Sequence, residues 1–195
     1  MDELKLSNWL IPKHKTNLIR FGSQYDGGYL LNEEDLLKSD LLISLGIHEN
    51  WDFEEQIYKN YRMKNVILFD PQSSYFLIFF YLIKSLIKCN FRKMIEYIKK
   101  FKEFSILKSN CIFIKKKFKE NLVVKYMDSK NILLKIDIEG DEYSILNFIL
   151  NNQNKINCLV IEFHNINKYL YEIKDFVSNF NLKLVHTHVN TFSTK

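Results

Sequence analysis

Short apolar runs recur along this chain, and most of them stop abruptly at a glycine or a carboxylate. Residues 41–46, 66–71, 132–137 and 157–163 are such runs. Near-continuous apolar stretches of this length mark strands buried on both faces of a parallel sheet. Between them, residues 51–62, 73–109, 141–150 and 166–180 place apolar side chains at mixed three- and four-residue intervals, which predicts helices. Residues 20–31 contain Asp26-Gly27-Gly28 between two apolar flanks, the signature of a tight hairpin turn. Residues 111–114 and 122–126 read as short strands, and residues 182–188 as a last one. The alternation of strand and helix predicts an α/β fold: a mostly parallel sheet with helices on both faces. The whole chain, 1–195, reads as one domain, with 73–109 as a helical insertion, either a pair or a lid.

Polar residues gather where the strands end. The run Leu133-Leu134-Lys135-Ile136 leads into Asp137-Ile138-Glu139-Gly140-Asp141-Glu142. In parallel sheets ligands bind at the carboxyl ends of strands. Asp137 and Glu139 share one face if the strand persists, which makes them site candidates. Asp141 and Glu142 read as first-turn residues favoured by the following helix dipole. Gly46 and Glu49 fall in the loop after the first apolar run, where a glycine admits a ligand to the backbone. Asp70 ends the next run, a spacing at which nucleotide-binding folds hydrogen-bond a ribose diol, though an ordinary Asp-Pro turn has the same letters. Glu162 and His164 alternate at the end of a further run, as do His186 and His188 near the last. Clustered acids and imidazoles can hold a divalent ion, and Asp137, Glu162 and His188 are the expected ligands of Mg or Mn.

Composition narrows the setting. An apolar fraction of 47% fits a packed globule rather than a disordered chain. Three dispersed cysteines without a CxxC pattern fit a reducing compartment, and the start of the chain lacks the order of a signal peptide, so a cytoplasmic location is expected. The net charge of +5 is concentrated between Lys84 and Lys119. That patch reads either as a solvated helix face or as a contact for anionic lipid or phosphate, giving an expected membrane-surface contact through 73–119. No nucleic-acid motif accompanies it, so nucleic acid is not an expected partner.

The assembled motifs resemble the FkbM-type branch of S-adenosylmethionine-dependent methyltransferases. Leu134 to Glu142 resembles that family's LKIDxEGxE signature, Val160-Ile161-Glu162-Phe163-His164 its downstream ExH strand, Asp26-Gly27-Gly28-Tyr29 a DGGY element, and Phe69-Asp70-Pro71 its acid-proline step. The resemblance implies a Rossmann-like methyltransferase fold and O-methyl transfer from S-adenosylmethionine. The expected acceptor is a small molecule, a sugar or nucleotide-linked sugar in cell-surface polysaccharide biosynthesis. By the same resemblance Gly46, Glu49 and Asp70 serve the cofactor, while Asp137, Glu139, Glu162 and His164 face the acceptor. His164 is then the expected general base, because its reference pKa lies near neutrality. Only one glycine follows the first run, and the chain ends just after the predicted sixth strand, where this fold commonly adds a seventh. A domain either shortened or completed by a partner, with a homo-oligomer among the expected assemblies, is the corresponding expectation. Two other readings stay open: a catalytically degenerate scaffold on the same fold, and a metal-dependent hydrolase using the same acidic rim.

Overall fold

The computed structural model describes residues 8–24, 27–48, 50–61, 63, 65–128 and 131–189. Asp26, Glu49 and the chain ends, Asn190 included, lie outside them.

Five parallel strands form the main sheet: β3 (Leu41–Leu45), β4 (Asn65–Phe69), β5 (Ile112–Ile114), β6 (Ile132–Ile136) and β7 (Ile156–Ile161). Their spatial order is β5-β4-β3-β6-β7, consistent with Rossmann-like topology. The chain builds outward from β3 to β5, then returns to lay β6 on the other side of β3, so the switch point lies between β3 and β6. A separate antiparallel hairpin, β1 (Leu18–Gly22) with β2 (Gly28–Asn32), occupies the segment where the Asp-Gly-Gly turn was expected. A short helix, α1 (Glu33–Leu37), follows it, N-capped by the Asn32 side chain on the Glu34 and Asp35 amides.

Alternation along each strand feeds two cores. Leu42, Val66, Leu68 and Leu133 face one layer, made by the hairpin, α2 (Asp52–Tyr61) and the end of α4 (Phe91–Asn110). Leu41, Ile43, Leu45, Ile67, Leu134 and Ile136 face the other, made by α5 (Glu120–Val123), α6 (Leu146–Asn151) and α7 (Leu170–Asn179). Both faces of the sheet are therefore covered, as the continuous apolar runs require. The expected 73–109 insertion is a helical pair: α3 (Tyr75–Ile87), capped by Ser74, and α4, capped by Asn90.

Three expectations are corrected. Residues 122–126 are helical, not a strand: α5 continues into a 3-10 turn over Val124–Tyr126, and Val123 and Met127 pack under the sheet. Tertiary packing overrides the β-branched Val-Val pair there. Residues 183–189 follow α7 without regular secondary structure, so the alternating Leu182–His188 pattern adds no strand to the sheet. The β6 strand ends at Ile136, and Glu139 takes a left-handed φ of 53°, so Asp137 and Glu139 do not share an extended register.

Candidate functional site

Four of the five strands, β3, β4, β6 and β7, make one more ladder bond beyond their ends, and that bond positions the residue after each. Gly46 N donates to Phe69 O (2.9 Å), Asp70 N to Ile114 O (3.2 Å), Asp137 N to Leu45 O (2.8 Å) and Glu162 N to Ile136 O (2.9 Å). Gly46, Asp70, Asp137 and Glu162 thus form one rim across the carboxyl edge of the sheet. The switch point is closed tightly. A β-carbon on Gly46 would stand 1.7 Å from the Asp137 carbonyl oxygen, and Gly46 has φ +81°, so only glycine lets β3 and β6 meet there.

Asp137 projects on the same side of β6 as Leu133 and Lys135, over the hairpin layer. There the Tyr29 hydroxyl donates to Asp137 Oδ2 (2.9 Å) and reaches Glu162 Oε2 (3.4 Å). Burial and the neighbouring Asp137 and Glu162 carboxylates push the Tyr29 pKa far up, so this phenol stays a neutral donor. His164 completes the group: one ligand atom each from Asp137, Glu162 and His164 lie within 4.8 Å of one another. Glu139 Oε2 comes to 3.5 Å from His164 Nε2, although its side chain is 86% exposed.

Glu142 holds this arrangement together. It is fully buried, accepting from the Gly140 amide (2.7 Å) through one oxygen and the His164 amide (2.6 Å) through the other, which also meets His164 Nδ1 at 3.3 Å. Its burial opposes ionisation, but the hydrogen bonds from His164 and Gly140 outweigh that and lower its pKa. The hydrogen bond to Glu142 in turn raises His164 to about 9, against a smaller opposing effect of burial. His164 therefore carries its proton at neutral pH and is not the free base its reference pKa suggests. Three of the four non-glycine residues with positive φ among those described, His48, Glu139 and Asn165, sit at this rim. Such conformations persist only where surrounding structure enforces them.

Asp70 is placed beside the Gly46 loop, as the sequence suggests, but it is already engaged. It is 3% exposed. Oδ2 accepts from the amides of Ile47 (2.9 Å) and His48 (2.6 Å), and Oδ1 from those of Gln72 and Ser73 (2.6 Å each). The Ser73 hydroxyl also donates to the His48 carbonyl. His188 is not in this cluster, whose imidazole is that of His164 in place of the expected His188; the His188 Nδ1 meets His186 Nε2 at 3.2 Å.

Beneath the rim lies a buried ion pair that the pattern reading missed. Lys135 Nζ stands 3.1 Å from Glu54 Oε1 and donates to the Gly46 carbonyl (2.7 Å). Ser44 Oγ donates to the same Glu54 oxygen (2.5 Å), and Lys135 Nζ lies 5.5 Å from the Tyr29 ring centre. A charged residue inside an apolar strand was the one signal available for it. Tyr29 and Glu142 fall within sequence motifs, but their roles depend on partners 108 and 22 residues away.

Comparison of the chain with protein-family models, with curated proteins and with solved structures gives no match.

Proposed function

We propose that this chain is an S-adenosylmethionine-dependent O-methyltransferase acting on a sugar or cell-surface glycan precursor, with the acceptor hydroxyl at the Asp137–Glu162–His164 rim. The observation that carries the reading is the convergence of these three groups and Tyr29 at the switch point of a parallel sheet, where such folds hold ligands. The motif resemblance adds the reaction type.

The residues divide the work as follows. Tyr29 donates to Asp137 and fixes its orientation. Asp137 and Glu162 offer acceptor oxygens to a substrate hydroxyl, and Asp137 is the group placed to take its proton. His164, charged at neutral pH, offers an N–H donor and balances the two carboxylates. With the His164 Nε2 proton released, the two carboxylates and the imidazole also fit a divalent ion of the Mg or Mn type. Such an ion, when bound, lowers the pKa of a coordinated hydroxyl. Bound S-adenosylmethionine would supply an electrophilic methyl group. Asp70, as it stands, does not fit the ribose role, because four backbone donors occupy its two oxygens. That saturation favours a second reading, a catalytically silent scaffold on the same fold.

Titration calorimetry with S-adenosylhomocysteine, with and without magnesium or manganese, tests the proposal. Micromolar binding supports the methyltransferase reading and justifies an acceptor screen starting with nucleotide-linked sugars. Absence of binding by the folded protein supports the scaffold. Metal binding without S-adenosylhomocysteine binding supports metal-dependent hydrolysis at the same rim.

A further inference from the structure

The α3–α4 hairpin carries more apolar surface than the sheet can cover. On α3, Phe76, Phe79, Phe80, Ile83 and Ile87 are all exposed. Their spacing of three and four residues lines them along one outward face, opposite Ile78 and Ser85, which are buried. Across the tip, Phe91 continues the stripe: Ile87 is 78% exposed and Phe91 69%. The pairing of Tyr81 with Tyr97 (5.6 Å between ring centres) and of Tyr75 with Phe101 (5.0 Å) shows that the two helices pack on each other through a different face.

The position of the hairpin follows from length. With 20 residues α4 extends for about 30 Å, while a five-residue strand covers roughly 17 Å. Its buried residues, Phe104 and Leu107, lie in its last turns, with Tyr97 half-buried against the same core, and its end leads into the start of β5. Its first turns therefore overshoot the carboxyl edge of the sheet. The tip stands out on the same side as the Asp137–Glu162–His164 rim.

Charge identifies the surface it meets. Residues 73–119 contain twelve lysines and arginines but only two glutamates, so this segment carries +10 while the rest of the chain carries −5. Lys84, Lys88, Arg92 and Lys93 flank the exposed tip, and none of them forms an ion pair among the described residues. A protein partner would need an acidic, apolar groove of matching length. An anionic bilayer offers both chemistries in order of depth: headgroup phosphates for the cations, and the acyl boundary for the aromatic stripe. No described helix is long and apolar enough to cross a membrane.

We propose that the α3–α4 hairpin docks the protein on an anionic phospholipid surface, with Phe76, Phe79, Phe80, Ile83, Ile87 and Phe91 inserted at the headgroup boundary. The inference is independent of the reaction at the rim, though it brings the rim to face the bilayer.

Cosedimentation of the full chain with phosphatidylcholine vesicles, with and without 30% phosphatidylglycerol, tests it. Binding is expected to be about tenfold or more tighter on the anionic vesicles and to weaken strongly in high salt. Lys88→Gln/Arg92→Gln should weaken it about fivefold per charge. Phe80→Ser/Ile87→Ser should abolish it. These four residues are exposed, so circular dichroism and urea unfolding should match the parent. No binding to anionic vesicles, or equal binding to both kinds, would overturn the proposal. So would self-association in sedimentation velocity that Phe80→Ser/Ile87→Ser removes while vesicle binding stays unchanged, since the stripe would then serve a second copy.

Discussion

Replacing Lys135 with Met should be among the most damaging single changes away from the rim. The pair with Glu54 spans 3.1 Å, with the side chains 3% and 0% exposed, so neither charge has water to fall back on. In Lys135→Met, Glu54 keeps only the Ser44 hydroxyl, and its Oε2 already lacks a hydrogen-bond partner among the described residues. Removing one partner of a buried pair costs about 3–5 kcal/mol, because the other charge stays buried and uncompensated. The Gly46 carbonyl also loses its donor. Against a total stability of about 5–15 kcal/mol, this is a large fraction. Adding Glu54→Gln removes the stranded charge while keeping an acceptor for Ser44. The double variant should recover at least about 2 kcal/mol of the loss. Urea unfolding of the parent, both single variants and the double variant gives the cycle, with the buried Trp51 as a fluorescence reporter of that layer. A loss below about 1 kcal/mol in Lys135→Met, at unchanged m-value, would show that the Glu54 charge is not stranded. So would a double variant whose loss equals the sum of the two singles.

Three further outcomes are expected. Gly46→Ala should cost about 3 kcal/mol or more, since its β-carbon meets the Asp137 carbonyl at 1.7 Å and its φ is +81°; urea midpoints read this directly. Asp70→Asn retains one acceptor oxygen for four amide donors and should lose about 2–4 kcal/mol, visible as lost protection at Ile47 and His48 or at Gln72 and Ser73. His164 is held near 9 against about 6.5 unfolded, so its contribution is fully present below about pH 6.5 and is lost as pH rises through about 9. After allowance for partial exposure it amounts to about 2 kcal/mol, and Glu142→Gln should bring the histidine back toward 6.5 in an NMR titration and flatten the pH dependence. A His164 titration unchanged in Glu142→Gln would count against the assigned cause.

The parallel strands were legible because strands buried on both faces must be apolar throughout, and little else in a chain of this size is. The hairpin announced itself through Asp-Gly-Gly, and the helical pair through its length. What failed was local patterning without a tertiary slot. Leu122-Val123-Val124 has strand-like residues, yet its place in the fold is beneath the sheet. The alternation of Leu182, Leu184 and His186 meets no strand to pair with. At the rim, position was legible and state was not. Asp137, Glu162 and His164 could be proposed from strand ends, but the charge on His164 depends on Glu142, buried by a turn whose sequence reads as an ordinary helix start. Asp70 could be placed next to Gly46, but nothing in the sequence tells that its oxygens are taken.

That last arrangement has a kinetic consequence. One carboxylate collects amides from two separate segments, 47–48 and 72–73, so neither can open without disturbing the other's anchor. The four amides should exchange with deuterium as one unit, with a common opening free energy, rather than fraying independently. Any visitor seeking an Asp70 oxygen therefore meets a threshold: it must displace the amide pair already seated there, 47–48 at Oδ2 or 72–73 at Oδ1.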